Sequence, residues 1–398
     1  MEYIQLSKLF YKNRDNYETI YNTRYNSEAT IHIPIKINGN DAFIVYTNEI
    51  INNITSIYKL DKKLTNIINH LPPIALNQFS IKSLIDETKI TNEIEGVHST
   101  RKEIKALLSP TERANKYASK RLYGLVQKYL MLMGEVDIPL HTCKDIRNIY
   151  DDLVLKEVLA DDPDNEPDGL YFRSGPVSIQ GPDLQIIHNG VNPEETIIEY
   201  IQEGLKLIND DKINKLISVS AFHYLLGYIH PFYDGNGRLS RFISSYFLSK
   251  EFHPLVGYSL SYTLKKQIKL YYKSFKIVND SKNKGDITPF ITIFLELIKE
   301  VFERLISTLS NKLEQLNYYS KCIDKLDYAQ NISDLMFVLV QNTLFGEDGL
   351  SVNELAKILE ISIPALRLHI KQINPSLLTI SKNGNKNLYN IVLDNLCV

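Results

Sequence analysis

Apolar residues recur every three to four positions over most of this chain, which is the spacing of one face of an α-helix. Apolar residues alternate instead from Ile31 to Ile37 and recur from Ala42 to Tyr46, with Asn38-Gly39 between them. That alternation predicts a β-hairpin with a tight turn, and Pro34 is expected to keep its first strand at an edge. Because the helical spacing covers most of the chain, the protein is expected to be mainly α-helical. Single helices are predicted at about 60–71, 114–134, 144–156 and 290–325, and two helices each at about 81–108 and 212–250.

The most apolar of these helical patterns flanks one polar stretch, from His230 to Arg241. Its sequence is His-Pro-Phe-Tyr-Asp-Gly-Asn-Gly-Arg-Leu-Ser-Arg, so a base, a carboxylate, a glycine turn and two arginines lie close together. Gly235 and Gly237 allow the backbone to approach a ligand closely. The N–H groups of this turn, at the start of the next helix, form an anion site.

The side chains of this stretch suit a phosphate ligand with a base beside it. Arg238 and Arg241 are three residues apart and therefore share one face of a helix. Arginine presents a planar fork of donors that fits phosphate oxygens. Asp234 is suited to a Mg²⁺ ion that bridges phosphates. His230 is expected to be neutral near pH 7 and to accept a proton.

This stretch resembles the motif of the Fic family, His-Pro-Phe-x-(Asp/Glu)-Gly-Asn-Gly-Arg-x-x-Arg, and matches it at every fixed position. The resemblance implies an α-helical fold with a β-hairpin flap. It also implies transfer of AMP from ATP to a hydroxyl side chain of a target protein, with His230 as the base and Mg²⁺ on Asp234. The implied ATP phosphate contacts are Gly235, Asn236, Gly237, Arg238 and Arg241.

An upstream stretch, Thr91-Asn92-Glu93-Ile94-Glu95-Gly96, resembles the inhibitory motif of Fic proteins, (Ser/Thr)-x-x-x-Glu-(Gly/Asn). Taken alone, it is typical of an ordinary helix end, with Gly96 where the helix stops. With the resemblance, Glu95 is expected to pair with Arg241 at the place of the γ-phosphate and to inhibit the enzyme. Thr91 is expected to steady the Glu95 end of the helix.

The stretch from Gly169 to Gly181 alternates and is bounded by glycines, which predicts a β-hairpin. It resembles the Fic flap, which lies over the active site and whose edge can add a target segment as another strand. The resemblance places Ile179, Gln180 and Gly181 beside the nucleotide. A single Pro193 stands where many relatives carry two prolines, which makes the far end of the flap differ from the family pattern.

Aromatic residues on a later predicted helix suggest an adenine site. Tyr271, Tyr272 and Asn279 precede an Asp-x-x-Pro-Phe sequence. Periodicity alone favours an aromatic core stripe, whereas the resemblance implies that a tyrosine packs on adenine and that Asn279 reaches its polar edge. His223, seven residues before His230, is predicted to be a hydrogen-bonded structural histidine and not a metal ligand.

The last residues have a pattern of their own. A helix is predicted at about 333–341, Ser351 to Glu354 forms a capping box for a second helix, and Ser362-Ile363-Pro364 opens a third. Strands at 377–380 and 388–391 follow, so the region resembles a winged helix. DNA contact, docking to a protein and a homodimer all stay open, and the slight negative charge favours the last two. The predicted domains are an N-terminal region with the inhibitory helix (1–110), a catalytic core (111–300), a linker helix (301–329) and the winged-helix-like domain (330–398).

Bulk composition limits the remaining choices. The chain has 398 residues and a formal net charge of −2, which argues against a strongly basic nucleic-acid binder. Its three cysteines, Cys143, Cys322 and Cys397, show no paired or metal-ligand spacing, which predicts a reducing compartment. No apolar run approaches the length of a membrane span, so a cytoplasmic protein is expected.

The main prediction is a protein adenylyltransferase that modifies Ser, Thr or Tyr of a target and is inhibited by Glu95. One alternative keeps the site and reverses the reaction, removing AMP with a water molecule that Glu95 orients. Another is a DNA-binding regulator that uses the fold as a nucleotide sensor. The intact His230 and Asp234 count against the regulator, because a sensor needs no base.

Overall fold

Helices dominate the fold, as the spacing of the apolar residues predicts. The computed structural model describes residues 3–108, 121–134, 136–180, 186–384 and 386–397. The helices are α1 Leu6–Lys12, α2 Arg14–Tyr25, α3 Asn48–Asn69, α4 Pro73–Ile94, α5 Arg101–Leu107, α6 Tyr123–Met133, α7 Cys143–Tyr150, α8 Lys156–Asp161, α9 Glu194–Ile208, α10 Lys215–Ile229, α11 Asn236–Glu251, α12 Leu260–Lys266, α13 Ile268–Val278, α14 Thr288–Asp324, α15 Gln330–Phe345, α16 Val352–Ile358 and α17 Ile363–Gln372. A π-helical turn, Asp151–Leu155, lies between α7 and α8. Part of the predicted helix at 114–134 lies outside the described residues.

Short antiparallel strands accompany the helices. Within the described ranges they form a β1–β2 hairpin, a β3–β4 hairpin and a three-stranded sheet of order β5-β7-β6. The strands are β1 Thr30–Ile37, β2 Asn40–Val45, β3 Ser178–Gln180, β4 Ile186–Asn189, β5 Leu350–Ser351, β6 Leu378–Asn383 and β7 Lys386–Ile391. The chain divides into two units, residues 1–59 with 85–302, and residues 60–84 with 303–398.

The first hairpin forms as its sequence predicts. Asn38 and Gly39 both have positive φ, 48° and 80°, which is the backbone of a type I′ turn. The β1–β2 register shifts between Ile33 and Lys36, around Pro34, because proline has no N–H to donate to the ladder. Helices α1 and α2, which the sequence leaves unassigned, belong to the same unit. Leu6, Leu9 and Tyr17 of these helices form a buried cluster with Phe43 of β2.

Helices α10 and α11 form the centre of the first unit. Every residue of α10 except Lys215 and Gly227 is buried. A helix that is apolar on all sides belongs in the interior of a domain. Asn214 begins α10 by accepting a hydrogen bond from the N–H of Leu216 at 3.0 Å. These two core helices hold between them the loop that carries the candidate chemistry.

The second unit contains the helices and the hairpin predicted near the C-terminus. Ser351 and Glu354 form a complete capping box at the start of α16. Ser362 accepts a hydrogen bond from the N–H of Ala365 at 3.3 Å and begins α17. Strands β6 and β7 pair from Leu378–Ile391 to Asn383–Lys386. The likeness to a winged helix stays a prediction, and Asn385 of the predicted turn lies outside the described residues.

The absence of paired cysteine spacing did not predict the pairing that the structure has. Cys322 and Cys397 form a disulfide bond although they are 75 residues apart in sequence. Spacing along the chain could not indicate this pair, because it forms only when the C-terminal end folds back onto the end of α14. Cys143 is a free, buried thiol. None of the helices that the structure describes is long and apolar enough to cross a membrane.

Candidate active site

The loop between α10 and α11 is fixed by its own side chains. His230 follows the end of α10 in a left-handed conformation, with φ 54° and ψ 63°. Asn236 Oδ1 accepts a hydrogen bond from the N–H of Phe232 at 3.0 Å, and its Nδ2 donates to the Phe232 carbonyl at 2.8 Å. The buried Phe232 ring stacks on Tyr150 with centroids 3.6 Å apart. The side chain of Asn236 therefore shapes the loop, and only its backbone N–H is available to a phosphate.

Glycines leave the first turn of α11 bare. Gly235 has a φ of 79°, in the left-handed region that favours glycine. A Cβ atom at Gly237 would lie 2.0 Å from Glu95 Oε1, so the carboxylate of Glu95 lies directly against this turn. A helix N-terminus attracts anions through its free N–H groups and its dipole. The carboxylate of Glu95 thus lies where the sequence predicts a phosphate.

His230 is half-buried and uncharged at neutral pH. Burial lowers the pKa of its imidazole to about 4, and the positive charge of Arg173 contributes in the same direction. A hydrogen bond to the Gly227 backbone and the charge of Glu95 act against these effects. Because the imidazole is neutral near pH 7, it can accept a proton from a ligand. This agrees with the protonation state expected from the sequence.

Arg238 is buried between two carboxylates. Its Nη1 lies 3.1 Å from Glu157 Oε2, and both side chains are 1% exposed. Its Nη2 lies 3.4 Å from Asp234 Oδ2. Asp234 also accepts a hydrogen bond from the N–H of Gly235 at 2.6 Å, and 45% of its side chain stays exposed. Arg238 therefore already has a protein partner, and Asp234 keeps oxygen surface for a cation.

Arg241 is held by the end of α4. Its Nη2 lies 2.7 Å from Glu95 Oε1 and donates to the Thr91 carbonyl at 3.0 Å. Its Nε donates to Thr91 Oγ1 at 2.7 Å. The charge of Glu95 raises the pKa of Arg241 despite the opposing effect of burial. Thr91 therefore binds the arginine itself, whereas the sequence led us to expect that it would steady the helix end.

The end of α4 has the stop that the sequence predicts. Gly96 has a φ of 74°, and the N–H of Val97 donates to the Asn92 carbonyl at 3.0 Å. These are the features of a glycine-terminated helix. Glu93 pairs with Lys89 at 2.6 Å and with Lys265 of α12. Interactions on both sides of Ile94, the ion pairs of Glu93 and the hydrogen bond of Val97, therefore hold the backbone that carries Glu95.

Comparison with known proteins agrees with this arrangement. Residues 141–248 match the model of the Fic/DOC family. This segment is therefore similar to the Fic/DOC family. It is 27% identical over 195 residues to a protein named "Protein adenylyltransferase Fic" from Drosophila melanogaster, a match that covers 48% of this chain and 35% of that protein. It is 32% identical over 149 residues to the protein of the same name from Drosophila virilis, a match that covers 37% of this chain and 28% of that protein. The match thus spans about a third of the length of these relatives.

The fold of this chain has a solved counterpart. A crystal structure of a Fic family protein from Desulfovibrio desulfuricans G20 superposes with a TM-score of 0.53 at 18% sequence identity. The alignment covers 87% of this chain and 97% of that one. At such low identity, the likeness shows the fold alone.

The β3–β4 hairpin lies later in the chain than the predicted one. Its strands are Ser178–Gln180 and Ile186–Asn189, with Ile179 opposite His188. The segment from 169 to 177 is not a strand, because Glu194 accepts hydrogen bonds from the N–H groups of Leu170, Tyr171 and Phe172, each at 2.9 Å. Gly181 lies outside the described residues.

The two predicted adenine-binding tyrosines differ in exposure. Tyr271 is buried in the core, whereas Tyr272 is 51% exposed. Of the two, Tyr272 is therefore the ring that a base can reach. Asn279 Oδ1 accepts a hydrogen bond from the hydroxyl of Tyr224 at 2.7 Å, so this oxygen already has a partner.

His223 is a structural histidine, as predicted. Its Nε2 lies 2.7 Å from the hydroxyl of Tyr271, and its Nδ1 lies 2.8 Å from Ser244 Oγ. Burial lowers its pKa to about 3, with a further contribution from the charge of Arg241. A neutral imidazole with both nitrogens hydrogen-bonded contributes to the core and not to a metal site.

Two buried charged residues at this site were not predicted from the sequence. Glu157 faces Arg238, and Arg173 binds the backbone of His230 through its Nε at 2.8 Å. Glu157 lies three and four residues after Val154 and Leu153, on the apolar face of its helix, and this spacing could have indicated a buried carboxylate. Arg173 follows Tyr171-Phe172 in an irregular segment, where no periodicity predicts burial.

The site could bind a metal ion only if a bound ligand supplied further oxygen atoms. In the described ranges, no three His, Cys, Asp or Glu side chains form a group that could hold a metal. Asp234 supplies one exposed carboxylate beside the N-terminus of α11. Mg²⁺ commonly takes one or two carboxylates together with substrate phosphate oxygens and water. The residues present therefore fit a Mg²⁺ ion that arrives with a nucleotide.

Proposed function

We propose that this Fic/DOC domain transfers AMP from ATP to a hydroxyl side chain of a target protein. The observation that carries the proposal is the convergence of three groups on one loop. These are the neutral imidazole of His230, the exposed carboxylate of Asp234 and the bare first turn of α11. The name of the Drosophila relatives, protein adenylyltransferase, supports the same chemistry.

In this proposal the ATP phosphates bind at the turn Gly235-Asn236-Gly237. The backbone N–H groups there and the guanidinium groups of Arg238 and Arg241 are the donors. Asp234 would hold a Mg²⁺ ion, which would supply charge neutralisation for the phosphate oxygens. The exposed ring of Tyr272 offers a face for adenine. The family resemblance implies that Asn279 reaches the polar edge of the adenine.

The chemical step needs one base and an aligned phosphate. His230 takes the proton from a Ser, Thr or Tyr hydroxyl of the target. The hydroxyl oxygen forms a bond to the α-phosphorus while the bond from that phosphorus to the bridging oxygen of pyrophosphate breaks. A positioned base typically contributes about 10²–10⁴-fold to the rate. The donors of the turn and the arginines stabilise the negative charge that develops on the phosphate.

Glu95 inhibits the reaction by occupying the phosphate site. Its carboxylate holds Arg241 at 2.7 Å and lies against Gly237, so a γ-phosphate and Glu95 compete for the same donors. Breaking a buried pair from one side costs about 3–5 kcal/mol. Glu95 is 27% exposed, which places the cost near the lower end, at about 3 kcal/mol. This corresponds to suppression of about 10²-fold.

The reverse reaction, hydrolytic removal of AMP, uses the same groups. Glu95 is close enough to His230 for its charge to raise the pKa of the imidazole. A water molecule between the two would then serve as the nucleophile in place of the target hydroxyl. The two reactions differ in what they need, because transfer requires ATP and an acceptor hydroxyl, whereas removal requires modified protein and water.

One experiment separates these reactions. Purified Glu95→Gly protein is incubated with Mg²⁺, a cell lysate and ATP labelled in its α-phosphate, and label on protein is measured after gel separation. The proposal expects labelled bands that disappear in the Glu95→Gly/His230→Ala double variant. In a separate assay, protein that already carries labelled AMP is incubated with the wild-type chain without ATP. Loss of label in that assay, with no label gained in the first, would favour the hydrolase.

A further inference from the structure

Arg173 is a fully buried cation with no carboxylate partner among the described residues. None of its side chain is exposed, and the acceptors of its hydrogen bonds are backbone carbonyls. Burial accordingly lowers the pKa of its guanidinium. A buried charge is costly unless polar groups compensate it. The compensating groups therefore indicate what Arg173 does.

Backbone carbonyls from two separate segments provide this compensation. At the end of α10, Arg173 Nε donates to the His230 carbonyl at 2.8 Å and Nη2 lies 3.4 Å from the Ile229 carbonyl. At the base of the β3–β4 hairpin, Nη1 donates to the Gly175 carbonyl at 2.5 Å and Nη2 to the Val191 carbonyl at 2.7 Å. A helix C-terminus leaves carbonyls unpaired and favours a cation.

The backbone of His230 needs such support. A left-handed conformation costs a residue other than glycine roughly 1–2 kcal/mol and persists only where the surroundings fix it. The N–H of Arg173 also donates to the Pro231 carbonyl at 3.1 Å. A Cβ atom at Gly190 would lie 3.2 Å from His230 Cβ and 2.5 Å from Arg173 Nη2, so the three residues pack closely.

We propose that Arg173 is a positioning residue that fixes His230 in its left-handed conformation and ties it to the base of the β3–β4 hairpin. The inference rests on the proposed adenylyl transfer. Arg173 touches no reacting atom in this scheme; it acts through the backbone of His230. Any displacement of the Gly175 or Val191 backbone is transmitted through one rigid guanidinium to the catalytic loop.

The charge of Arg173 has a second, separable effect. It lowers the pKa of His230, although less than burial does. A neutral residue at position 173 therefore both loosens the loop and raises the pKa of the imidazole. A lysine keeps the charge but lacks the planar fork that reaches several carbonyls at once. The two substitutions consequently separate geometry from charge.

The test uses AMP transfer by the full chain in the Glu95→Gly background. Arg173→Gln is expected to lower kcat by about 10–100-fold, the cost of a misplaced catalytic group. KM for ATP is expected to change little, because the phosphate donors are elsewhere. The acid limb of the kcat/KM profile should move to higher pH. Arg173→Lys should recover part of kcat and keep the acid limb in place.

Arg147→Gln is the matched control. Arg147 Nε binds Asp151 at 2.7 Å and its Nη1 donates to the Tyr171 carbonyl at 3.3 Å, in the segment that leads to Arg173. It makes no hydrogen bond to residues 229–231 among those described, so its loss should leave kcat and the pH profile unchanged. An equal loss of kcat in Arg147→Gln and Arg173→Gln would overturn the proposal, because it would indicate only general destabilisation.

Histidine ¹⁵N NMR supplies a readout that does not need turnover. The titration of His230 is expected to move to higher pH in Arg173→Gln and to stay in place in Arg173→Lys. An unmoved titration with unchanged kcat would overturn the role of Arg173. Absence of AMP transfer in the Glu95→Gly parent would refute the proposed function. The backbone ¹⁵N–¹H resonance of His230 would still decide the role of Arg173, because it should shift in Arg173→Gln and stay in place in Arg147→Gln. If Arg173→Gln does not fold, the partial loss of kcat in Arg173→Lys decides instead.

Discussion

The carboxylate of Glu95 lies 2.7 Å from the guanidinium of Arg241, and the two residues connect the end of α4 to the first turns of α11. Arg241 is 1% exposed and is also held by Thr91 through two hydrogen bonds of 2.7 and 3.0 Å. A guanidinium confined in this way cannot turn toward a second anion without losing these bonds. The chain's own carboxylate therefore already satisfies the anion site of the loop.

Removing that carboxylate should activate the domain. Glu95→Gly is expected to raise self-labelling with Mg²⁺ and ATP by about 10²-fold, because about 3 kcal/mol of competition for Arg241 disappears. Glu95→Gln, which keeps the size but not the charge, should fall between wild type and glycine. The measurement is incorporation of AMP into the purified protein with time.

Glu103→Gln is the control for this comparison. Its carboxylate caps α5 and is exposed, so its loss changes charge by the same amount without affecting Arg241. Self-labelling should stay at the wild-type rate. Equal rates in Glu95→Gly and wild type would contradict the inhibitory role of the Glu95–Arg241 pair.

The exposed ion pair between Lys265 and Glu93 should help to keep Glu95 in its inhibitory position. Lys265 binds Glu93, two residues before Glu95, and an exposed ion pair contributes about 0.2–1 kcal/mol. Lys265→Gln is therefore expected to raise self-labelling by up to about fivefold. The adjacent Lys266 binds Glu300 at 3.0 Å, and Lys266→Gln should have no effect. The difference should shrink at high salt, since screening weakens exposed pairs. An identical rate of self-labelling in both variants at low salt would show that the Lys265–Glu93 pair does not help to hold Glu95.

Features that depend on neighbouring residues could be predicted from the sequence. The turn at Asn38-Gly39 needs only two residues with positive φ, and the helix end at Gly96 needs only one. The chemistry of the loop could also be predicted, since His230 and Asp234 lie within five residues of one another. In each case the cause and the structure lie in the same stretch of chain.

Features that depend on distant contacts could not be predicted. Glu194 binds the N–H groups of residues 170–172 and so prevents a strand there, although the local sequence alternates. The Cys322–Cys397 disulfide and the hydrogen bonds of Arg173 to residues 229–231 also form only in the folded chain. Tyr271 and Tyr272 are adjacent in sequence, and only packing decides which is buried. The sequence therefore identified the loop but not the groups that position it.

The buried pair of Arg238 and Glu157 should be strongly coupled. Their atoms lie 3.1 Å apart and both side chains are 1% exposed. Removing either partner leaves a buried charge with only a more distant partner, Asp234 at 3.4 Å from Arg238 or Arg121 at 3.7 Å from Glu157. Glu157→Gln and Arg238→Gln are each expected to lower the free energy of unfolding by about 3–5 kcal/mol. The double variant should lose about 1–3 kcal/mol less than the sum of the two. Urea unfolding followed by circular dichroism provides the measurement.

The exposed pair of Lys250 and Asp137 serves as the comparison. These atoms lie 2.6 Å apart, but the side chains are 34% and 93% exposed. Their coupling free energy should stay below about 1 kcal/mol, because water screens the pair. A coupling for Arg238 and Glu157 no larger than this would mean that the ion pair contributes little to the loop.

His223 should make the domain less stable in mild acid. Its pKa is about 3 in the folded chain against 6.5 in the absence of burial, so between these values the unfolded chain binds more protons. Stability is therefore complete above pH 6.5 and falls as the pH decreases toward 3, by about 1.4 kcal/mol per pH unit at most. His223→Gln should flatten this dependence between pH 7 and pH 5, measured by urea unfolding at each pH. His141→Gln removes an exposed histidine and should keep the wild-type slope. An unchanged slope in His223→Gln would show that His223 is not the group that titrates.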